Sequence, residues 1–206
     1  MESFRAFRID EEDGNVVANF KTLSIDDLTE GNVVVRVSHS TINYKDALAA
    51  TGRGRILRRY PLNGGIDRAG VVVSAEDADC APGPAVLVNG CGLSETVDGG
   101  YSEYARVKSE SLVEIPAGMT AVEAMQIGTA GYTAALAVHR MEQNGQTPDL
   151  GPVVVTGATG GVGSIAIDML HGRGYEAVAV TGKASEEAYL REIGAARILL
   201  RDKIDL

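Results

Sequence analysis

The sequence predicts an α/β protein in which a mostly antiparallel β domain is followed by a βαβαβ unit. Two observations carry this prediction. Up to residue 118, short β-prone runs alternate with turn residues, as in a compact β domain. From residue 153 onward, apolar β-branched runs alternate with helical segments, as in a parallel sheet. The 206 residues are 45% hydrophobic, which is sufficient for one large core or two small ones.

The N-terminal part contains six candidate strands. They are Ser3–Ile9, Val33–Ser38, Ala69–Ser74, Ala85–Val88, Tyr101–Val107 and Ser111–Ile115. A boundary follows at residues 116–120, because Thr120 with Glu123 three residues later is typical of a capped helix start. We therefore expect the first domain to cover residues 1–120.

The second domain is expected to cover residues 121–206. It begins with a helical segment, residues 121–143, that Gly128 and Gly131 interrupt. Strands and helices then alternate: the strands are Val153–Val155, Glu176–Val180 and Ala196–Leu200, and the helical stretches are Ser164–Leu170 and Glu186–Ile193. This order is the mononucleotide-binding half of a dinucleotide fold.

A glycine-rich stretch lies between the first of these strands and the next helix. Ala158, Gly160 and Gly163 match the pattern G-x-G-x-x-G with alanine in the first place. Glycines let a ligand approach the backbone, and the N-terminus of a helix attracts a phosphate. A strand-to-helix turn can also use glycine for its geometry alone. The βαβαβ context favours dinucleotide binding over that alternative.

The end of the second strand indicates which dinucleotide is bound. An NAD site usually has an acidic residue there, about 20 residues beyond the glycines, to hold the ribose hydroxyls. The chain instead reads Thr181-Gly182-Lys183-Ala184-Ser185, with no acid. A hydroxyl, a glycine amide and an ammonium suit a 2′-phosphate, which favours NADP(H). The alternative is that Lys183 is a solvated residue at the start of a helix.

Composition excludes several classes of function. The net charge of −9 and the isoelectric point near 4.8 argue against a nucleic-acid surface. No apolar run is long enough to span a bilayer, and the first residues lack the order of a signal peptide, so we expect a cytoplasmic protein. One basic run is present, consisting of Arg53, Arg55, Arg58 and Arg59. It is either a solvated loop, which charge alone favours, or a site for a phosphorylated substrate.

No metal site is expected. Cys80 and Cys91 form no C-x-x-C motif, and we interpret both as ordinary thiols. His39, His139 and His171 are scattered, and none has a second ligand-type residue at metal-binding spacing.

Further motifs make the chain similar to a known family. They are Ile42–Leu48 (INYKDAL), Gly65–Asp67 followed by Ala69-Gly70, Ile127–Ala134 (IGTAGYTA) and Val155–Gly163 (VTGATGGVG). In this order they resemble, over essentially the whole chain, the medium-chain dehydrogenase/reductase superfamily. Within it, the likeness is to the YhdH/AcuI group of NADPH-dependent acrylyl-CoA reductases and to zinc-free quinone oxidoreductases.

The resemblance implies an N-terminal GroES-like domain, a Rossmann dinucleotide-binding domain and a zinc-free site. Zinc-dependent relatives carry Gly-His-Glu where this chain has Gly65-Ile66-Asp67. The implied reaction transfers hydride to the β carbon of an activated alkene, most simply acrylyl-CoA, and a proton to the α carbon, with a quinone as the alternative substrate. A homodimer without a nucleic-acid or membrane partner is also implied.

Carried over residue by residue, the resemblance assigns the site. Catalytic roles fall on Tyr44, Asn43 and Asp46. Cofactor contacts fall on Tyr44, Thr129, Gly160, Gly161, Val162, Gly163, Ser164, Thr181, Gly182, Lys183, Ser185 and Arg197. Two alternatives remain: the run Asn43–Asp46 can cap a helix that starts near Asp46 with a half-buried tyrosine, and Arg197 can be a surface residue.

The chain also departs from the family pattern. Gly64 replaces a proline, and Arg68 replaces an apolar or aromatic residue. The chain ends at Asp205-Leu206, just after the third strand, whereas a complete dinucleotide fold has two such halves. We therefore interpret it as a truncated reductase, with a cofactor-binding remnant or a purely structural protein as alternatives. The free edge of the first Rossmann strand is expected to promote self-association and to leave little or no turnover.

Overall fold

A computed structural model describes residues 3–76 and 82–203. Cys80 and the last residues, Asp205 and Leu206, lie outside the described residues. The chain divides into two compact units, unit 1 (Met1–Thr129) and unit 2 (Ala130–Leu206). The division between the units lies inside a long helix; the domain boundary at residue 120 stays a prediction.

Unit 1 is an antiparallel β structure with one short helix. Its strands are β1 (Phe4–Glu12), β2 (Asn15–Leu23), β3 (Val33–His39), β4 (Leu62–Asn63), β5 (Asp67–Ala75), β6 (Ala85–Asn89), β7 (Tyr104–Val107) and β8 (Val113–Glu114), and its short helix is α1 (Tyr44–Thr51). One sheet has the strand order β2-β1-β4 and the other the order β7-β3-β5-β6-β8. Every pairing is antiparallel, which confirms the fold expected for this part.

The β1–β2 hairpin was not predicted from the sequence. Its turn, Asp13-Gly14, has φ angles of 51° and 79°, and nine residue pairs connect the strands. Asp-Gly is a favoured hairpin turn because both residues tolerate positive φ, so a signal was present. β2 was missed because its side chains are mostly exposed or half-buried and lack a clean apolar alternation.

The five-stranded sheet buries a core of valines. These are Val33, Val35, Val72, Val86, Val88 and Val107, with Leu93 beside them. A second cluster joins α1 to the smaller sheet: Ala49 of the helix packs with Ile9 and Leu62. The helix is thus anchored by its buried residues Asp46 and Ala49, while Tyr44 and Lys45 at its start are exposed.

The long helix α2 (Ala121–Gln143) contains a break at Gly128. Gly128 has φ 48° and ψ −158°, and a Cβ there would lie 2.8 Å from Thr41 Cγ2 and 3.1 Å from Asp67 Oδ2. Only glycine combines this backbone conformation with such a close approach. The interruption expected at Gly128 is confirmed, whereas no break occurs at Gly131.

Unit 2 contains the predicted βαβαβ order. Its elements after α2 are β9 (Val153–Thr156), α3 (Gly161–Gly172), β10 (Ala177–Thr181), α4 (Glu187–Glu192) and β11 (Ala195–Leu200). The three strands are parallel in the order β11-β10-β9, as in the first half of a dinucleotide fold. Ile167 and Leu170 of α3 and Leu190 of α4 bury against this sheet with Val138 of α2.

Helix α3 starts at Gly161, three residues before the expected start at Ser164. The glycine stretch therefore forms the first helical turn as well as the preceding loop. A Cβ at Gly163 would lie 2.4 Å from the Gly157 carbonyl oxygen, so the helix can pack this close to the loop only without a side chain.

We predict that Gly163→Ala lowers the free energy of unfolding by about 1–3 kcal/mol, because the added methyl overpacks this contact. Gly172→Ala, at the other end of α3, is the matched control, since a Cβ there meets no atom within 4 Å. It should leave the stability unchanged or raise it by up to about 1 kcal/mol. Urea unfolding followed by circular dichroism measures both; equal effects would contradict the packing argument.

Candidate active site

A buried carboxylate organises one end of unit 1. Asp67, the first residue of β5, is fully buried. Its Oδ2 accepts hydrogen bonds from Thr41 Oγ1 at 2.5 Å, Asn43 Nδ2 at 3.0 Å and the Thr129 backbone N–H at 3.1 Å. The Thr129 hydroxyl donates to the other oxygen, Oδ1. One charge thus ties the segment before α1 to the broken helix α2.

The start of α1 is fixed by a second buried carboxylate. Asn43 is the N-cap residue, and its backbone N–H donates to Asp46 Oδ2 at 2.8 Å. The other oxygen of Asp46 accepts from the Ile66 N–H at 3.0 Å, and the residue is only 4% exposed. Each oxygen of Asp46 therefore already holds a backbone donor, and this geometry gives the residue a structural task. The helix cap that the sequence left open as an alternative is present.

Tyr44, in contrast, points into solvent. It is the first residue of α1 and is 81% exposed, not half-buried as the capping alternative supposed. The carboxylates of Asp67 and Asp46 fix the backbone turn that carries Tyr44. The structure thus separates the three predicted catalytic residues: Asn43 and Asp46 hold the turn, and Tyr44 has a side chain available to a ligand.

Tyr101 belongs to the same cluster and was missed by sequence reasoning. Its hydroxyl donates to the Thr41 carbonyl oxygen at 2.7 Å. Burial raises the pKa of the phenol, and the nearby Asp46 and Asp67 carboxylates raise it further, so the group is protonated at neutral pH. No local signal could identify it, because its partner lies 60 residues away in the chain.

Unit 2 places the predicted phosphate loop at the N-terminus of α3. Gly160 is the N-cap residue, and its N–H donates to the Gly157 carbonyl oxygen at 2.9 Å. Gly160, Gly161 and Val162 are exposed, while Ser164 is half-buried. The first N–H groups of a helix have no carbonyl partner within it, and the helix dipole is positive there. The loop can therefore hold an anion with backbone groups alone.

The second predicted loop follows β10. Thr181 is buried, and its Oγ1 accepts from the Lys183 N–H at 3.0 Å. Gly182, Lys183 and Ser185 are exposed. The Arg201 guanidinium lies beside Gly182, because a Cβ on that glycine would be 3.1 Å from Arg201 Nη2. Two cations thus lie at this edge: Lys183 on the loop, and Arg201 beside it, directly after β11. The sequence analysis missed Arg201.

Arg197 was expected either close to this loop or at the surface, and the structure places it at the surface, away from the loop. It lies opposite Val178 in the β10–β11 pairing and forms an ion pair with Glu176, with 2.8 Å between Nε and Oε1. Thr181 lies opposite Leu200, three residues further along the strand. Because each residue advances a strand by about 3.3 Å, Arg197 lies roughly 10 Å from this edge. Arg201 directly follows Leu200, and the alignment of parallel strand ends could have identified it.

Residues 3–76 and 82–203 contain neither a metal-binding cluster nor a membrane-spanning helix. No three His, Cys, Asp or Glu side chains converge there as metal ligands would. No helix in that part of the chain has the length and apolar content of a membrane span. The arginines of the basic run, Arg53, Arg55, Arg58 and Arg59, are all exposed.

Comparison with known proteins connects both units to oxidoreductases. Residues 29–117 match the family model of the alcohol dehydrogenase GroES-like domain. The putative quinone oxidoreductase YhfP of Bacillus subtilis is 47% identical over 201 residues, covering 98% of this chain and 61% of the relative. The probable acrylyl-CoA reductase AcuI of Escherichia coli is 48% identical over 199 residues, covering 97% of this chain and 61% of the relative.

Solved structures agree. The yhdH oxidoreductase from Salmonella enterica, in complex with NADP, has a TM-score of 0.93 and 47% identity, covering 98% of this chain and 62% of that one. Bacillus subtilis yhfP, with NAD bound, has a TM-score of 0.94 and 46% identity, covering 99% and 62%. These matches confirm the predicted fold class, a GroES-like domain followed by part of a Rossmann domain. This chain spans about three fifths of the length of these relatives.

We predict that Asp67→Asn lowers the free energy of unfolding by about 1–3 kcal/mol. The amide offers one acceptor and a donor where the carboxylate offers two acceptors, so buried donors lose their partner. Asp10→Asn is the matched control: Asp10 pairs with Lys21 at 2.9 Å at the surface, and its loss should cost at most about 1 kcal/mol. Chemical denaturation of both variants measures the difference, and an Asp67→Asn variant as stable as the control would refute the role of this cluster.

Proposed function

Because this chain belongs to the medium-chain dehydrogenase/reductase superfamily, we propose that it binds NADP(H) and takes part in the reduction of an activated carbon–carbon double bond, with acrylyl-CoA as substrate. The observation that carries the proposal is the pair of loops at one edge of the sheet in unit 2. One loop presents backbone donors at a helix start, and the other presents Lys183 and Arg201.

The residues of the first loop fit a pyrophosphate. Gly163 lacks the Cβ that would close the space beside Gly157, and Gly160 and Gly161 leave the first helical turn exposed. Free N–H groups at a helix N-terminus bind phosphate oxygens. In the proposal, Gly160, Gly161, Val162, Gly163 and Ser164 hold this group. The cofactor contact that the resemblance assigns to Thr129 stays a prediction.

The second loop fits a 2′-phosphate better than a 2′-hydroxyl. It has no carboxylate to accept from a ribose hydroxyl, and a guanidinium and an ammonium pair well with phosphate. Gly182, Thr181 and Ser185 complete the loop, and Arg201 takes the place that the sequence analysis gave to Arg197. The similar Bacillus protein was solved with NAD, so preference between the two cofactors is the point to test.

Bound NADPH would supply a hydride to the β carbon of the substrate. As that carbon is reduced, negative charge grows on the thioester oxygen, and a hydrogen-bond donor there lowers the barrier. The exposed phenol of Tyr44 is proposed as this donor. Asn43 and Asp46 are positioning residues in this proposal, because their contacts fix the turn that carries Tyr44.

Two other functions remain to be distinguished. A quinone is the alternative substrate, since the Bacillus relative is named a putative quinone oxidoreductase. A cofactor-binding protein without turnover is the other alternative. NADPH titration combined with assays on acrylyl-CoA and on a quinone separates all three, because only the last alternative binds NADPH and reduces neither substrate.

We predict that Arg201→Ala weakens NADPH binding about tenfold, or about 1.4 kcal/mol, and leaves NADH binding unchanged. Lys183→Ala should act in the same direction. Arg197→Ala is the matched control, because it removes the same charge from the middle of β11, three residues before Leu200. Fluorescence titration of the reduced nicotinamide gives each dissociation constant.

Equal losses for NADPH and NADH in Arg201→Ala would remove the basis for the 2′-phosphate assignment. A loss of NADPH affinity in Arg197→Ala alone would place the 2′-phosphate beside Arg197 and contradict its assignment to Lys183 and Arg201.

We predict that Tyr44→Phe lowers kcat for acrylyl-CoA reduction by about tenfold or more while NADPH affinity stays near its original value. A lost donor to a developing oxyanion acts on kcat, since the interaction strengthens in the transition state. Tyr189→Phe is the control, because Tyr189 is also exposed but lies in unit 2, on α4. The absorbance of NADPH during turnover gives the rates. An unaffected kcat in Tyr44→Phe would exclude the phenol as donor.

A further inference from the structure

A small cavity in unit 1 surrounds the buried side chain of Arg68. This residue follows Asp67 on β5, lies opposite Val88 of β6 and is 2% exposed. Because side chains alternate along a strand, Arg68 and Asp67 point to opposite faces of the sheet. The cavity has a volume of about 230 Å³ and is also lined by Arg106 and Lys108. It belongs to a different unit from the phosphate loops.

The guanidinium of Arg68 has few hydrogen-bond partners. Its Nη1 donates only a long bond, 3.4 Å, to the Asp98 carbonyl oxygen. Its Nε is buried and has no partner within the part of the chain that the structure describes. A guanidinium carries five N–H donors, and buried donors without acceptors are costly.

The nearest buried acid is already engaged by other groups. Asp98 is fully buried, and its Oδ1 accepts from Arg8 Nη1 and from the Asn63 N–H, both at 2.7 Å. Its Oδ2 accepts from the Thr29 N–H at 2.7 Å. The Asp98 carboxylate thus forms its ion pair with Arg8, and Arg68 reaches only the Asp98 backbone carbonyl.

Arg68 keeps its charge nevertheless. Burial lowers its pKa to about 10, and Asp98 and Cys91 nearby act in the opposite direction, so the side chain is protonated at neutral pH. A buried charge without a counterion is costly in free energy. The side chains around the cavity add positive charge from Arg106 and Lys108. Glu30 and Glu110 also line it, both are exposed, and Glu110 lies 3.9 Å from Lys108.

We propose that this cavity is a binding site for a small oxyanion, a carboxylate or a phosphate, with Arg68 as its main ligand. The observation behind it is a buried guanidinium with an unpartnered Nε, on a side chain that lines the cavity together with Arg106 and Lys108. The planar donor edge of a guanidinium matches two oxygens of such an anion. The cavity is smaller than the roughly 300–1,000 Å³ of sites for drug-sized ligands, so the ligand is small or is one acidic group of a larger molecule.

The test follows thermal unfolding of the full chain in increasing phosphate or acetate, against sodium chloride at equal ionic strength. Binding at one saturable site should raise the Tm by about 2–4 °C, and this rise grows only with the logarithm of the anion concentration above the dissociation constant; we call it the saturable rise. General salting-out by phosphate grows in proportion to concentration, so the shape of the curve separates the two effects. Phosphate and acetate are compared to show which oxyanion the site prefers.

The variants locate the site. Arg68→Met should remove most of the saturable rise, and any remainder belongs to the phosphate loop of unit 2. Lys108→Ala, a change at an exposed side chain, should weaken the rise severalfold even if Arg68→Met does not fold. Arg58→Met removes one exposed positive charge from the basic run and should keep the full rise. Lys183→Ala, which alters the loop proposed for the 2′-phosphate, should also keep it.

Each result decides the proposal. A saturable rise that depends on Arg68 and Lys108, and not on Arg58 or Lys183, supports it. No saturable rise with either oxyanion, or a rise that Lys183→Ala or Arg58→Met removes, overturns it. Because the NADPH titrations use other residues and another readout, failure of this proposal leaves the proposed function untouched.

Discussion

The Asp67 carboxylate constrains the geometry of unit 1 more than any other group described. It is fully buried, and a buried carboxylate is tolerable only when donors surround it. Thr41, Asn43 and Thr129 supply those donors, which brings the segment before α1 and the helix α2 to the same point. Gly128, directly before Thr129, has a positive φ, and its missing Cβ leaves room for the close approach to Thr41 and Asp67. The exposed position of Tyr44 is a further result of the same constraint.

Unit 2 depends on the geometry of parallel strands. All three strands end at the same edge, so the residues that follow each of them meet there. The glycine loop follows β9, Thr181 ends β10 and Arg201 follows β11, which gathers amide donors and cations without any long-range side-chain network. In unit 1, by contrast, contacts between residues far apart in sequence carry the arrangement.

This contrast explains what the sequence could predict. The βαβαβ order, the glycine loop and the loop at residues 181–185 were predictable because each is encoded in neighbouring residues. Arg197 was left open between a cofactor contact and a surface residue, because the resemblance names a cation but not the edge of the sheet that it occupies. The hydrogen bond from Tyr101 to Thr41 and the one from Ile66 to Asp46 could not be predicted, because the two partners of each bond are distant in the chain. Arg68 stood out in the sequence only as a departure from a family pattern; its burial required the packed sheet.

In the proposal, main-chain amides bind the pyrophosphate, whereas two side chains, Lys183 and Arg201, distinguish a 2′-phosphate from a 2′-hydroxyl. Point mutation cannot remove a main-chain N–H except by introducing proline, but it exchanges a lysine or an arginine freely. Affinity for dinucleotides is therefore robust during evolutionary drift, while the preference for one of them is readily evolvable. Divergence among such proteins in which nicotinamide cofactor they use is then expected without any change of fold.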